Sequence, residues 1–199
     1  MGSASWARIR SSRRSQGCAN SWWRTREVVI LVIEDYIPPE DIARLFQDAG
    51  LLDMIYTGSL TPPVPTLREM IDSGQRLVVF IESGKSGVSW LRSAWEAMQE
   101  TPYTFHKPAD FSCGPNRGPK TAPFFQINNW IESTPAPRPS NAEIVNGYSA
   151  LLARARACAE QRGRLPNILA VDFYDVGDVF RVVRTLNGLD RVARRPAAE

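Results

Sequence analysis

Four short apolar runs in this chain lead into side chains that carry oxygen. Residues 28–33 run into Glu34-Asp35, and residues 77–81 into Glu82, with Ser83-Gly84-Lys85 behind it. Residues 124–127 run into Asn128-Asn129, and the run 168–173 contains Asp172. Carboxylates and amides gathered on one rim bind a hard cation through oxygen. They also orient a histidine, as the acid of a catalytic triad does. Asp172 stands out, because an acid inside an apolar run is costly to bury unless it is paired. Lys85 is the candidate phosphate contact. The plain alternative for each residue is that strand ends meet solvent and are often polar.

Other chemistries find less support. The sole histidine, His106, lies in Thr104-Phe105-His106-Lys107-Pro108 and reads as an exposed loop residue. It has no second histidine with which to hold a metal. No CxxC pair argues for zinc, and no GxSxG elbow for a serine nucleophile. Cys113 sits in a loop-like stretch and Cys158 near a helix end; they read either as a disulfide in an oxidising compartment or as two free thiols. Trp90, Trp95 and Trp130 are most simply packing residues.

The elements that must position these groups alternate. Residues 28–33 form a β-branched run suited to a strand buried on both faces. Pro38-Pro39-Glu40-Asp41 opens a helix with Ile42, Leu45, Phe46 and Ala49 on one face, stopped at Gly50. Thr66-Leu67-Arg68-Glu69 has the form of a capping box for a short helix ending at Gly74. Residues 77–81 follow as the second strand. Residues 89–99 read as a helix with Leu91, Ala94, Trp95 and Met98 on one side. A long polar loop covers residues 101–123, a length that is usually functional or disordered. The third strand is 124–127. Ser140-Asn141-Ala142-Glu143 reads as a second capping box, opening a helix that bears Ile144, Tyr148, Leu151, Leu152 and Ala155 and ends at Gly163. The fourth strand, 168–173, precedes a last helix over 178–187, stopped by Gly188.

Four strands, each followed by a helix, predict a parallel sheet covered by helices. An open doubly wound sheet and part of an eight-stranded barrel both fit. The absence of a Gly-rich phosphate loop weighs against the nucleotide-binding open sheet. If the strands are neighbours, Glu34, Glu82, Asn128 and Asp172 converge on one mouth. The net charge of +3 is uneven: Arg8, Arg10, Arg13, Arg14, Arg24 and Arg26 precede any acid. That arm, residues 1–26, reads as disordered or as a misassigned start, and the tail 191–199 as frayed. No run approaches the apolar length of a membrane-spanning helix.

The residues from Glu27 to Gly188 resemble the phosphatidylinositol-specific phospholipase C-like phosphodiesterases of the X-domain superfamily. The likeness rests on Glu27 through Asp35, on Pro65-Thr66-Leu67-Arg68-Glu69-Met70-Ile71, and on Gly74-Gln75-Arg76-Leu77-Val78-Val79-Phe80. It continues in Thr101-Pro102-Tyr103, Asp110-Phe111-Ser112-Cys113, Asn116-Arg117-Gly118, Val171-Asp172-Phe173-Tyr174, Gly177-Asp178-Val179 and Leu186-Asn187-Gly188. Each motif is weak alone; their order and spacing together are fairly specific.

The resemblance implies a partial (β/α) TIM-type barrel, about four βα units from the C-terminal half of the phosphodiesterase fold, over 27–190. It implies cleavage of a phospholipid or related diester by attack of a neighbouring hydroxyl, with two histidines as general base and acid. Those histidines belong to strands earlier than the ones matched here, so the chain alone is expected to have little or no activity. Asp172 looks like the acid that orients the base, and Glu34 like a calcium ligand. Glu82, Lys85, Asn128 and Asn129 fall to substrate binding, with Asn129 standing where relatives carry a histidine. The cysteine positions resemble those of exported relatives, which implies the Cys113–Cys158 disulfide and a secreted or extracytoplasmic setting. Expected partners are a phospholipid or phosphodiester, a peripheral membrane contact and a second copy pairing through open sheet edges, with no nucleic acid. Two further readings are a non-catalytic module that binds headgroups or a partner, and an unrelated metal-dependent α/β hydrolase using Glu34, Glu82 and Asp172.

Overall fold

A computed structural model describes residues 26–34, 36–82 and 86–190. The basic arm up to residue 25, with Cys18, and the tail 191–199 lie outside the described residues, as do Asp35 and Lys85. The chain divides into two compact units, Met1–Glu96 and Ala97–Glu199. Each holds a three-stranded parallel sheet. The class is mixed α/β, as the alternation predicts.

In the first unit the order is β1 (Val29–Ile33), β2 (Leu77–Ile81), β3 (Arg92–Ser93). β2 is buried at every position, because strands flank it on both sides. β1 pairs only with β2 and is half-buried, with Val32 exposed. The expectation of burial on both faces therefore holds for β2 and fails for β1. Helix α1 (Pro39–Asp48) starts as predicted, with Pro38 at its N-cap and Glu40 and Asp41 in its first turn. It buries Ile42 against Met54, Ile55, Leu77, Val79, Ile81 and Leu91. Phe46 meets Trp90 with ring centroids 5.2 Å apart. Leu45, expected on the same face, is exposed. Helix α2 (Leu67–Ser73) carries the predicted capping box: Thr66 Oγ1 accepts from Glu69 N at 3.2 Å, and Thr66 N donates to the Glu69 carboxylate at 2.7 Å. Gly74, at φ 78°, ends it.

The predicted helix over 89–99 is not there. That stretch supplies β3, a single turn α3 (Ala94–Ala97) and β4 (Met98–Glu100). Leu91, Ala94, Trp95 and Met98 have helical spacing, but Ala97, Met98, Gln99 and Glu100 are all buried. A surface helix leaves one side in water, whereas all-round burial suits a short strand inside a packed fold.

In the second unit β4, β5 (Phe124–Asn129) and β6 (Ile168–Val171) lie in that order. Phe125 and Ile127 pack on Ala155 and Cys158, which belong to helix α5 (Tyr148–Arg162). The helix predicted from Ser140 to Gly163 is broken. Helix α4 (Pro139–Val145) ends at Asn146, and α5 begins after Gly147. Arg138, not Ser140, is the N-cap of α4, and its side chain makes no capping bond. Pro139 takes the first helical position, where its missing N–H costs nothing. Ile144, expected on the packed face, is exposed. Gly163 at φ 68° ends α5, as the sequence indicates. Helix α6 (Val179–Leu186) buries Val179 and Val182 against Leu151 and Leu152. Cys113 and Cys158 are joined in a disulfide with Cα atoms 5.0 Å apart.

Candidate active site

The first unit brings two of the expected acids side by side. In the register of β1 and β2, Ile33 faces Ile81, so Glu34 and Glu82 follow at neighbouring strand ends. Glu82 N donates to Ile33 O at 2.9 Å. Glu34 is exposed and Glu82 half-buried. Calcium takes about 6–8 oxygen ligands. Among the described residues no group of three or more histidine, cysteine or acidic side chains could hold a metal ion. Glu34 and Glu82 would supply two carboxylates of such a set.

In the second unit, parallel register puts Glu100 beside Gln126 and Asn128 beside Ala170. Side chains alternate along a strand, so Glu100, Gln126 and Asn128 share the face opposite α5. Glu100 is 1% exposed yet well compensated. Its Oε1 accepts from Asn116 Nδ2 at 2.8 Å and from Arg117 Nε, and its Oε2 accepts from Asn128 Nδ2 at 2.9 Å. Asn128 also donates to Thr101 O at 2.7 Å and accepts from Gln126 Nε2 at 2.7 Å. A buried carboxylate is tolerable only with such donors. Arg154 Nη2 donates to Asn128 O at 2.7 Å, and its guanidinium lies 3.8 Å from the Phe111 ring centroid. Burial pushes the Arg154 pKa down to about 10, so it stays charged at neutral pH.

Asn129 turns the other way. Its Nδ2 donates to Val145 O at 3.1 Å and to Asn146 Oδ1 at 3.2 Å, beneath the break between α4 and α5. Asn128 and Asn129 thus serve opposite faces of β5, and both are fully buried.

Asp172 is not inside a strand; it lies one residue past β6. It keeps the parity of Ile168 and Ala170, the positions paired with Gln126 and Asn128. The side chain is half-buried, and its carboxylate has no hydrogen-bond or ion-pair partner among the described residues. Burial raises its pKa above the ordinary aspartate value. Phe173, next in the chain, is left-handed at φ 52°. An unpaired, desolvated acid at the carboxyl end of a parallel strand is the kind of group that functional sites retain.

His106 is exposed, as expected. Lys85 lies outside the described residues. Glu100, Gln126, Asn146 and Arg154 were not singled out from the sequence. One signal pointed to Glu100: the Thr101-Pro102 pair favours extended backbone just behind it.

These features define a parallel α/β protein with its polar groups at the carboxyl ends of the strands, where such folds keep their sites. Within that class the chain belongs to the PI-PLC X family, whose model matches residues 20–187. Two curated proteins of Arthroderma benhamiae are similar to it. An "Uncharacterized secreted protein" is 28% identical over 196 residues, covering 82% of this chain and 43% of the relative. A "PI-PLC X domain-containing protein 1" is 29% identical over 140 residues, covering 63% of this chain and 45% of the relative. The chain thus spans less than half the length of the curated relatives it matches. No solved structure matches.

Proposed function

We propose that this chain carries the later β/α units of a phospholipase C-like barrel and that the whole catalytic unit is a phosphoric diester hydrolase acting on a phospholipid or related diester. The observation that carries the reading is the carboxylate of Asp172, one residue past β6 and without a partner among the described residues, in a chain that belongs to the PI-PLC X family. In this reading Asp172 orients a histidine that takes the proton from the attacking hydroxyl. An acid whose charge is poorly solvated gains most from a neighbouring imidazolium. Glu34 and Glu82 fall at strand ends where a headgroup or cation would be met, and Lys85, Asn128 and Asn129 stay with substrate binding. Asn128 and Asn129 are both buried, so their part in substrate binding is to hold the strand end in place and not to touch the substrate.

General acid–base cleavage needs a base and an acid, each within hydrogen-bond reach of the reacting oxygens. The chain has one histidine, His106, and it is exposed. The chain by itself is therefore expected to bind a headgroup and turn over diester only at background level. The name of the secreted relative and the Cys113–Cys158 bond support an extracytoplasmic setting, since disulfides persist in oxidising compartments.

The test is release of phosphorylated headgroup from phosphatidylinositol vesicles, with and without calcium, beside NMR titration with inositol phosphate. Background turnover with shifts at the carboxyl ends of the strands is the expected result. Robust turnover would overturn the expected inactivity of the chain, and no shift at any strand end would overturn the site. A non-catalytic headgroup-binding module is the second reading, favoured by the lone exposed histidine.

A further inference from the structure

We propose that Asn146 is the positioning residue for Asp172, holding the turn that presents this acid. The inference rests on the reading of Asp172 given above.

Asn146 is fully buried at the break between α4 and α5 and touches three elements. Its Nδ2 donates to Asp172 O at 2.9 Å and to Val176 O at 3.2 Å, with Phe173 O at the 3.5 Å limit. Its Oδ1 accepts from Asn129 Nδ2 on β5, and its backbone O accepts from Asp178 N at 2.9 Å. One amide therefore gathers the carbonyls of the turn 172–176 and fastens them to the central strand. The turn needs such a clamp, because a left-handed phenylalanine is an unfavourable conformation that surrounding contacts must impose.

Two neighbours reinforce the clamp. Gly177, at φ 89°, lies so close that a Cβ there would fall 2.7 Å from the Asn146 carbonyl carbon and Cβ. Asp178 Oδ2 accepts from Tyr148 N at 3.1 Å, capping the start of α5 just beyond the break. The helix break and the acid-bearing turn are thus one assembly, and Asn146 is the side chain they share. Tyr174 and Asp175 are the other ionisable groups of this turn, and Asp178, just beyond it, is committed to the cap.

The experiment follows the Asp172 carboxyl by carbon-13 NMR through a pH titration of the full chain, together with the backbone coupling of Phe173. Asn146→Ala is expected to admit water to the turn. It should move the Asp172 midpoint down toward the ordinary aspartate value near ~3.9 and take Phe173 out of its left-handed conformation. Asn129→Ala removes the bonds that tie Asn146 to β5 but leaves the Asn146 amide on the carbonyls of the turn, and it is expected to move both signals in the same direction by a smaller amount. An unchanged Asp172 midpoint in Asn146→Ala, or an equal shift in Asn129→Ala, would overturn the proposal, since a general packing role moves both alike. Should alanine leave the chain unfolded, Asn146→Ser keeps a small polar group in the cavity and is read by the same resonances. No substrate is involved, so a chain that fails every diester assay still decides the point.

Discussion

Burial raises the Asp172 carboxyl above its ordinary value, so the folded chain holds that proton more tightly than the unfolded chain does. The stability linked to this group is full below the unfolded aspartate pKa and is lost as pH rises through the folded one. Asp172→Asn removes that loss. The variant is expected to be more stable than the parent at neutral pH, with the gap closing as pH falls below the ordinary aspartate range. Urea melts at both ends of that range check it, and equal midpoints at neutral pH would mean that the carboxylate is compensated. Glu100 is the opposite case, an acid buried deeper but met by Asn116, Arg117 and Asn128. Asp172 was legible because an acid within the apolar run 168–173 stands out from its neighbours. Glu100 was hidden in a stretch whose apolar spacing imitates a helix.

At the scale of elements, the loop 101–123 is the part most dependent on cross-links. It contains one turn of 3-10 helix, Pro108–Asp110. The Cys113–Cys158 bond ties it to α5, and Arg162 Nε donates to Cys113 O at 3.0 Å. Phe105 and Phe111 lie against the Arg154 guanidinium. Gly118, at φ 81°, passes so close to Met98 O that a Cβ would overlap it. The disulfide spans 45 residues, and closing a loop of that size stabilises the folded chain by up to about 4 kcal/mol on the chain-entropy account. Reduction, or Cys158→Ser, is expected to lower stability by about 2–4 kcal/mol. Denaturant melts with and without reductant measure it, and coincident curves would contradict it. The loop and its length were evident in the sequence, whereas the contacts that order it reach across dozens of residues.

At the scale of the whole molecule, each sheet has a central strand paired on both sides and outer strands paired on one, among the described residues. β1 also leaves Val32 exposed. Unpaired strand edges are templates for another chain. The protein is therefore expected to self-associate, with sedimentation velocity showing a mean mass that rises with concentration. A monomer at all concentrations with a single cooperative melt would count against it. Parallel α/β class and PI-PLC X membership were both within reach of the sequence, because alternation and motif order persist along the chain. The division at Glu96 and Ala97 was not, since it falls inside a stretch that reads as one helix.

The sequence by itself determined the features whose causes are local. The Thr66–Glu69 box, the glycine stops at Gly74 and Gly163, and the strand Leu77–Ile81 each depend on residues a few positions apart. Only the tertiary structure decided the rest: β3 and β4 in place of a helix, the break at Asn146, and Asp172 beyond β6 instead of within it. Their causes lie far along the chain. Glu100 takes its partners 16, 17 and 28 positions away, and Asn146 reaches Asp172 O across 26. Hydrophobic period reports how a segment divides between one packed face and water. A three-residue strand buried on every side has no such division, and an asparagine that closes a turn elsewhere in the chain leaves no pattern around itself.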